Sequence, residues 1–369
     1  MTIEISPLGD NQDDWPRLKE LMDLAAYKET IVLESGDWIC RSKQRVPSGT
    51  HIVASPGVKV RQELQYTGVD FLNAAFSSGP IFGTPITSQL QIAAEVGSRE
   101  VMANHDTFSV GQIVRLSQGA TGLRQLYYRI VSKSGDGFWL TLSRPVKQLF
   151  GSGDMIQSVE SIPTDIRIEG NGMKISGTGD RYLEIAAGLR CHVSGIRIDP
   201  SHGWLGTGGP AMSFDIGGYL CSFTDCVVNS DGHDINAGCI IESGERCTIQ
   251  NCTAEYAGVT GAGLYASVGS YIIGCESTGC VYGAYIGSGS VECQIRGGSY
   301  WCNQQGVLVG GGKRNIIANV TSSYNTQCGI KIASGEQDSI VSDCVGVGNT
   351  LKFLEVQPDC NVSINNVRS

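Results

Sequence analysis

The chain has 369 residues, of which 41% are hydrophobic and 17% are charged. This composition excludes intrinsic disorder, which requires low hydrophobicity and high net charge, and no apolar run reaches the roughly 18 residues of a membrane-spanning helix. The formal net charge of −9 argues against nucleic-acid binding, because nucleic-acid binders present basic surfaces. The 49 glycines indicate many tight turns between short strands.

A helix is predicted near the N-terminus, over residues 13–27. Asp13 and Asp14 stand at the expected N-cap, Pro16 falls in the first turn, and apolar residues recur at helical spacing from Leu18 to Ala25. Such a helix can cap the open end of a stack of strands. Segments 30–33, 38–40 and 50–53 follow it as predicted strands.

The next region lacks a long repeat and predicts antiparallel strands within 110–116, 127–131 and 138–142. A Ser134-Gly-Asp-Gly turn joins the last two as a hairpin. We therefore predict three parts: residues 1–75 with the capping helix and first coils, 76–163 as a small β insert, and 164–369 as the main repeat region.

A repeat organises the last part of the chain. A unit of 22–24 residues with three short strands and three turns has the size of one coil of a parallel β-helix. One coil cannot bury its inner face alone, so the coils stack about 4.8 Å apart. The fold class is therefore predicted to be all-β, a solenoid of parallel strands. The repeated apolar or small positions are Met173, Ile196, Cys226, Cys252, Cys275, Gly298, Val320, Cys344 and Val367.

The repeat also explains the 14 cysteines. Cys226, Cys252 and Cys275 share one inward position, and we expect buried free thiols there rather than metal ligands or disulfides. Two further sets of residues are predicted to occupy equivalent positions in successive coils, each set forming a column along the stack. They are the cysteines Cys280, Cys302 and Cys328 and the glycines Gly263, Gly283, Gly306 and Gly329.

The opening segments resemble those of pectate-lyase-like right-handed parallel β-helix proteins, a superfamily that includes bacteriophage tailspike depolymerases. The resemblance rests on the predicted helix, Ile31-Val-Leu-Glu-Ser-Gly-Asp-Trp38, Val46-Pro-Ser-Gly-Thr-His-Ile52 and an insert-like segment that starts at Val110. It implies a right-handed β-helix that processes polysaccharide, an extracellular or virion location, and a homotrimer. The first residues show no signal peptide, which fits a phage protein.

The predicted site lies where three adjacent coils bring polar side chains to one edge. Because side chains alternate along a strand, the residue three positions after each repeated apolar or small position is expected to point outward. The two longest coils carry insertions just beyond this residue. The candidate catalytic residues are Asp199, Asp231, His233, Asp234 and Glu255. The candidate substrate-binding residues are Arg197, His202, Trp204, Tyr256 and Trp301.

This spacing favours glycan hydrolysis. Carboxylates one coil apart lie roughly 5 Å apart and two coils apart roughly 10 Å, near the separations of retaining and inverting glycosidases. Asp231 or Asp234 with Glu255 fits the first case, and Asp199 with Glu255 approaches the second. The segment from Asn229 to Asp234 also resembles the Asn-Thr-Asp-Gly-x-Asp motif of polygalacturonases, which implies a catalytic Asp231, although the next coil lacks their Gly-Asp-Asp.

Two alternatives stay open. A polysaccharide lyase would use His233 or Tyr256 as base and Arg197 as cation, or calcium held by Asp199, Asp231 and Asp234; hydrolysis needs no cofactor or metal. A non-catalytic spike would bind glycan without cleaving it.

Overall fold

The computed structural model describes residues 2–9, 11–42, 44–64, 74–81, 83–84, 86–104, 106–118, 125–178, 181–200, 209–230 and 235–369. These residues form one helix, α1 (Trp15–Ala25), and 34 strands in three sheets. In chain order the strands are β1 Thr2–Ile5, β2 Thr30–Leu33, β3 Gly36–Cys40, β4 His51–Ala54, β5 Val58–Glu63, β6 Phe76–Ser78, β7 Thr87–Gln89, β8 Glu100–Met102, β9 Ile113–Ser117, β10 Gln125–Lys133, β11 Trp139–Leu142, β12 Met155–Val159, β13 Arg167–Thr178, β14 Leu183–Ala186, β15 His192–Pro200, β16 Pro210–Asp215, β17 Ser222–Thr224, β18 Val227–Asn229, β19 Ala237–Glu242, β20 Thr248–Gln250, β21 Thr253–Glu255, β22 Thr260–Tyr265, β23 Tyr271–Ile273, β24 Glu276–Thr278, β25 Tyr282–Ile286, β26 Gln294–Arg296, β27 Ser299–Trp301, β28 Gln305–Gly310, β29 Ile316–Ala318, β30 Thr321–Ser323, β31 Cys328–Ala333, β32 Ser339–Ser342, β33 Lys352–Val356 and β34 Val362–Asn365.

Each regular coil contributes three parallel strands. The first and second strands belong to a 19-stranded sheet, sheet A, and the third belongs to a nine-stranded sheet, sheet B. A residue with left-handed backbone conformation bends the chain between the first two strands, as at Asp225 and Asn251 (φ 53° and 50°). Like strands of successive coils pair in register, for example β17 with β20 and β19 with β22. The predicted all-β fold of stacked coils is confirmed.

A glycine column in sheet B has a steric cause. A Cβ atom at Gly238, Gly261 or Gly283 would lie only 2.4–2.5 Å from the carbonyl oxygen of the glycine in the next coil. Only glycine therefore allows the coils to approach there. The prediction that Gly263 begins this column was wrong by two residues, because the register pairs Ala262 with Ala284 and so aligns Gly261 with Gly283.

The inward cysteines form the predicted ladder in part. Cys226, Cys252 and Cys275 are buried free thiols in consecutive coils. The second predicted column was wrong, because Cys302 is exposed and follows β27 in a left-handed conformation (φ 53°). Cys280 aligns instead with Asn303, whose side-chain oxygen accepts its backbone N–H at 2.9 Å.

Helix α1 closes the N-terminal end of the stack with a buried face that includes Trp15 and Met22. Asp14 is the N-cap residue, as predicted, but its carboxylate accepts no capping hydrogen bond from the backbone N–H groups of the helix. Its two oxygens accept the backbone N–H groups of Leu8 at 2.6 Å and Ile39 at 2.7 Å. The acidic residue therefore ties the helix to the first strands rather than capping it.

The predicted insert is a six-stranded antiparallel sheet made of β7 to β12. Its hairpin forms where the sequence indicates, with the N–H of Ser134 donating to the carbonyl of Trp139 at 2.9 Å. The strand Phe76–Ser78 lies just inside the predicted insert boundary, yet it pairs in parallel with β14 of sheet B. The β-helix strands thus continue to residue 78 before the insert sheet begins.

One arginine joins the insert to the β-helix. Arg144 donates from Nε to the buried carboxylate of Glu245 at 2.9 Å, and its guanidinium lies 3.9 Å from the ring centre of Tyr219 and 4.5 Å from that of Tyr128. The ion pair with Glu245 and the cation–π contact with Tyr219 hold the insert against the corner between the third strand of one coil and the first strand of the next, while Tyr128 supports Arg144 from within the insert.

Candidate functional site

The predicted edge column forms in the structure. Backbone pairing aligns Asn229 with Glu255, Glu255 with Thr278, and Thr278 with Trp301. Asp199 lies one residue beyond the paired Ile198 and Val228, which places it beside Asn229. The residues at the ends of these strands therefore lie in a row along one side of sheet A, which we call the edge of sheet A.

Asp199 on this edge is held by two cations. Its Oδ2 atom accepts from Arg197 Nε and from Lys174 Nζ, each at 2.8 Å. Partial burial raises the pKa of Asp199, but these two hydrogen bonds and charges outweigh burial and lower the pKa overall. Asp199 is therefore an ionised carboxylate at neutral pH, and Arg197 is its partner rather than a free cation.

Aromatic side chains on the same edge are open to solvent. The exposed fractions are 52% for Tyr256, 47% for Trp301 and 62% for Tyr324. The ring of Tyr256 lies over Gly279, and the ring of Tyr324 lies over Gly348. The first two were predicted to bind substrate, whereas Tyr324 was not singled out.

Five predicted site residues lie outside the described ranges. They are His202, Trp204, Asp231, His233 and Asp234. Their assigned roles stay predictions.

A second cluster, which sequence reasoning missed, lies on the outer face of sheet B. There the third strands of consecutive coils line an open cavity of about 200 Å³. Pairing of β16 with β19 and of β19 with β22 brings Asp215, Glu242 and Tyr265 into one column. The residues that line the cavity are Arg181, Pro210, Ser213, Asp215, Asn236, Ala237, Ile240, Glu242 and Tyr265.

Glu242 has the most strongly shifted acidic group of this cavity. Burial raises the pKa of its carboxyl group to about 7, and the adjacent Asp215 adds to the rise through its charge and a shared hydrogen bond. Arg181 opposes the rise only in part. Glu242 can therefore carry a proton near neutral pH, as a general acid must.

Arg181 balances the charge of the other acids in this cluster. Its Nη1 atom lies 3.1 Å from Asp215 Oδ2 and also bonds the buried carboxylate of Glu184. Asp215 accepts the backbone N–H of Ile216 at 2.8 Å as well. The pair thus combines a proton-retaining glutamic acid with an aspartate that is held by a cation.

Tyrosines extend the cluster along the helix axis. The ring centres of Tyr265 and Tyr285 lie 4.8 Å apart in an edge-to-face arrangement, and those of Tyr285 and Tyr282 lie 5.6 Å apart. The Tyr265 hydroxyl is 3.0 Å from Thr260 Oγ1, and burial raises the pKa of Tyr265 to about 12. These side chains offer neutral aromatic surface beside Glu242.

The insert contacts the chain just after two of the third strands end. Gly217, two residues after Asp215, lies so close to the insert that a Cβ atom there would be 2.6 Å from the carbonyl oxygen of Gln125. Farther along, Gln148 of the insert donates to the carbonyl of Ala266 at 3.1 Å. The insert therefore acts as a wall beside the ends of the third strands.

Two residues that line the cavity come shortly after the predicted insertions in the chain. Pro210 and Asn236 line the cavity, and each follows one of the segments 201–208 and 231–234 that lie outside the described residues. The sequence-predicted loops and the sheet B cavity are thus adjacent along the chain.

A weak sequence signal marks the missed pair. Asp215-Ile-Gly217 and Glu242-Ser-Gly244 repeat the same acid-x-glycine pattern at the same phase of the third strand. The misplacement of Gly263 by two residues hid this phase in β22, where Tyr265 joins the column.

Within the described ranges, no group of three or more His, Cys, Asp or Glu side chains is arranged to hold a metal ion. No helix among those residues is long and apolar enough to cross a membrane.

No family model and no curated protein matches the sequence. Solved structures match the fold over nearly the whole chain. The tailspike gp49 of Pseudomonas phage LKA1 is 13% identical with a TM-score of 0.60, over 96% of this chain and 74% of that chain. The tailspike gp54 of Acinetobacter baumannii bacteriophage AP22, solved with an A. baumannii capsular saccharide, is 11% identical with a TM-score of 0.58, over 96% and 67%.

An enzyme shares the same architecture. The A-module of the mannuronan C-5 epimerase AlgE6 from Azotobacter vinelandii is 11% identical with a TM-score of 0.52, over 97% of this chain and 91% of that chain. The stacked coils and these structural matches together show that the chain has a right-handed parallel β-helix fold, which it shares with these phage tailspikes and with the epimerase module.

Proposed function

We propose that this protein is a polysaccharide depolymerase that hydrolyses glycosidic bonds over the outer face of sheet B. The observation that carries the proposal is Glu242, whose carboxyl group has a pKa of about 7 in an open cavity. A glycosidase needs one carboxyl group that keeps its proton near neutral pH in order to protonate the departing sugar oxygen. Asp215 supports this role by raising the pKa of Glu242.

The second carboxylate of the reaction must activate water or attack the sugar. Asp215 shares a hydrogen bond with Glu242, so it is too close to stand across a glycosidic bond from it. We assign the second role to Asp231 or Asp234, since both precede the cavity-lining Asn236 by a few residues. Glu255 is the next candidate, on the edge of sheet A beyond the same segment.

The tyrosines provide the binding surface. Sugar rings have apolar faces that can pack against aromatic rings, and Tyr265 and Tyr285 lie beside Glu242 along the direction in which coils stack. A glycan chain that lies parallel to the helix axis would contact these rings on one side of the cleaved bond. The exposed Tyr256 and Trp301 belong to the neighbouring edge and would extend the contact.

The structural matches support a glycan as the substrate. One matching tailspike was solved with a capsular saccharide, and the matching epimerase is named for mannuronan. We infer that the substrate is a bacterial surface polysaccharide, that the protein acts on a virion or outside the cell, and that it assembles as a homotrimer.

The test is incubation with a panel of acidic and neutral bacterial polysaccharides. We expect new reducing ends without new ultraviolet absorbance, and we expect the Glu242→Gln variant to yield none. Ultraviolet absorbance from an unsaturated product would instead show β-elimination, with or without calcium. Retention of glycan without any new ends would show a non-catalytic binding spike.

A further inference from the structure

A serine and a histidine pair on a different face of the molecule, outside the sheet B cavity. His192 in β15 and Ser222 in β17 are direct partners on neighbouring first strands of sheet A. The Oγ atom of Ser222 lies 2.8 Å from Nδ1 of His192. A hydroxyl in this position can pass its proton to the imidazole, which is the first requirement for a serine nucleophile.

The surroundings favour the neutral imidazole, which has a free lone pair to accept a proton. The side chain of His192 is exposed, yet partial desolvation lowers its pKa, the positive charge of Arg167 lowers it further, and Asp165 opposes the effect. Arg167 is the register partner of His192 on the other side, in β13. The order across the sheet is thus guanidinium, imidazole and hydroxyl.

A shallow cavity of about 360 Å³ opens over this pair. Apart from Arg167 and His192, its lining consists of short side chains, so it can admit a small group at the Ser222 hydroxyl. Those shorter residues are Val193, Ser194, Ser222 and Thr224.

The other charged groups nearby are mutually paired. Arg167 Nε lies 2.6 Å from Glu169 Oε1, and His51 Nε2 lies 3.0 Å from the same oxygen. Asp165 forms two hydrogen bonds with Arg190, at 2.7 and 2.8 Å. Neither carboxylate is hydrogen-bonded to His192 among the described contacts, so the imidazole and Ser222 are left as a dyad.

We propose that Ser222 and His192 form a second active site that hydrolyses small acyl esters, such as O-acetyl groups on sugar hydroxyls. Ser222 Oγ attacks the carbonyl carbon while its proton moves to His192 Nδ1, and the guanidinium of Arg167 offers positive charge to the oxyanion. The C–O bond to the sugar breaks, and the departing alcohol takes the proton from His192. His192 then takes a proton from water, and the water oxygen attacks the acyl carbon. The bond from that carbon to Ser222 Oγ breaks, Oγ takes the proton back from His192, and the carboxylic acid leaves and ionises in solvent.

The experiment uses the full chain and p-nitrophenyl acetate as the probe. We expect the wild type to release p-nitrophenol and to carry an acetyl group on the peptide that contains Ser222, as seen by mass spectrometry after acid quenching. Ser222→Ala and His192→Gln should each lower the rate by about 100-fold or more. The control Ser342→Ala changes a hydroxyl on another first strand of sheet A, outside this cavity, and should leave the rate within about twofold.

The outcomes separate this proposal from the depolymerase proposal. Circular dichroism first shows that each variant is folded, and Ser222→Ala should release reducing ends from polysaccharide at the wild-type rate. Equal ester hydrolysis by the wild type and Ser222→Ala, or acetylation only at other residues, would overturn the dyad. Such a result would leave the role of Glu242 untouched.

Discussion

The edge of sheet A and the outer face of sheet B carry the same kinds of side chain, but the pKa values of their carboxyl groups shift in opposite directions. On the edge, Asp199 bonds two cations, which lowers its pKa. On sheet B, the side chain of Glu242 reaches the open side of the cavity, and desolvation by the protein around it, together with the charge of Asp215, raises its pKa to about 7. Neighbours in the adjacent coils, rather than the residue itself, thus decide which carboxyl group can serve as an acid.

The sharpest way to test this contrast is to neutralise one carboxyl group in each region. Glu242→Gln should lower polysaccharide hydrolysis by about 10² to 10⁴-fold, because a general acid contributes about that much. The measurement is the rate of reducing-end release at saturating substrate. Glutamine keeps the size of the side chain, so circular dichroism should be unchanged.

Glu255→Gln is the matched control on the edge. If Glu255 only binds substrate, and takes no part in the proton transfer, the Glu255→Gln variant should keep at least about a tenth of the wild-type activity. A full loss in Glu255→Gln together with full activity in Glu242→Gln would move the acid to the edge of sheet A.

The pH dependence should report Glu242. Hydrolysis should fall as the pH rises through about 7, because the acid loses its proton there. Asp215→Asn removes a neighbouring negative charge, so the pKa of Glu242 should fall and the decline should begin at lower pH. Desolvation is the larger cause of the shift, so the pKa of Glu242 should stay above the ordinary glutamate value of 4.5. If the activity of Asp215→Asn declines at the same pH as that of the wild type, Asp215 does not raise the pKa of Glu242.

Removing an aromatic side chain should have a smaller effect, which appears in KM. Tyr265→Ala should raise KM by about tenfold, which corresponds to roughly 1.4 kcal/mol of lost binding. Trp301→Ala on the edge should change KM by less than about threefold, since its contact lies farther from Glu242. The ratio of the two KM values on one polysaccharide gives the comparison. Equal effects would extend the binding surface evenly across both regions.

The smallest expected effect is on stability. The raised pKa of Glu242 means that the folded state binds this proton more tightly than the unfolded chain does. The resulting stabilisation is complete below the unfolded pKa near 4.5 and is lost as the pH rises through about 7. The Tm of the wild type should therefore fall relative to Glu242→Gln between pH 5 and pH 8.5. A constant Tm difference across that range would show that the carboxyl group is not shifted.

The sequence by itself determined the coil repeat, the inward positions and the order of the edge column. These features follow from local alternation and from a period of 22–24 residues, so positions such as Glu255 and Trp301 could be aligned without coordinates. Cys302 and Gly263 were misaligned, because a single left-handed residue or a two-residue shift changes the register and leaves no mark in composition.

Only the tertiary structure brought Asp215 and Glu242 together. Their pairing depends on the register of third strands whose preceding segments differ in length. The hydrogen bond between Ser222 and His192 has the same origin, since 30 residues separate two side chains that the stacking of coils makes neighbours. A pKa responds to neighbours in space, and in a solenoid most of those neighbours come from other coils.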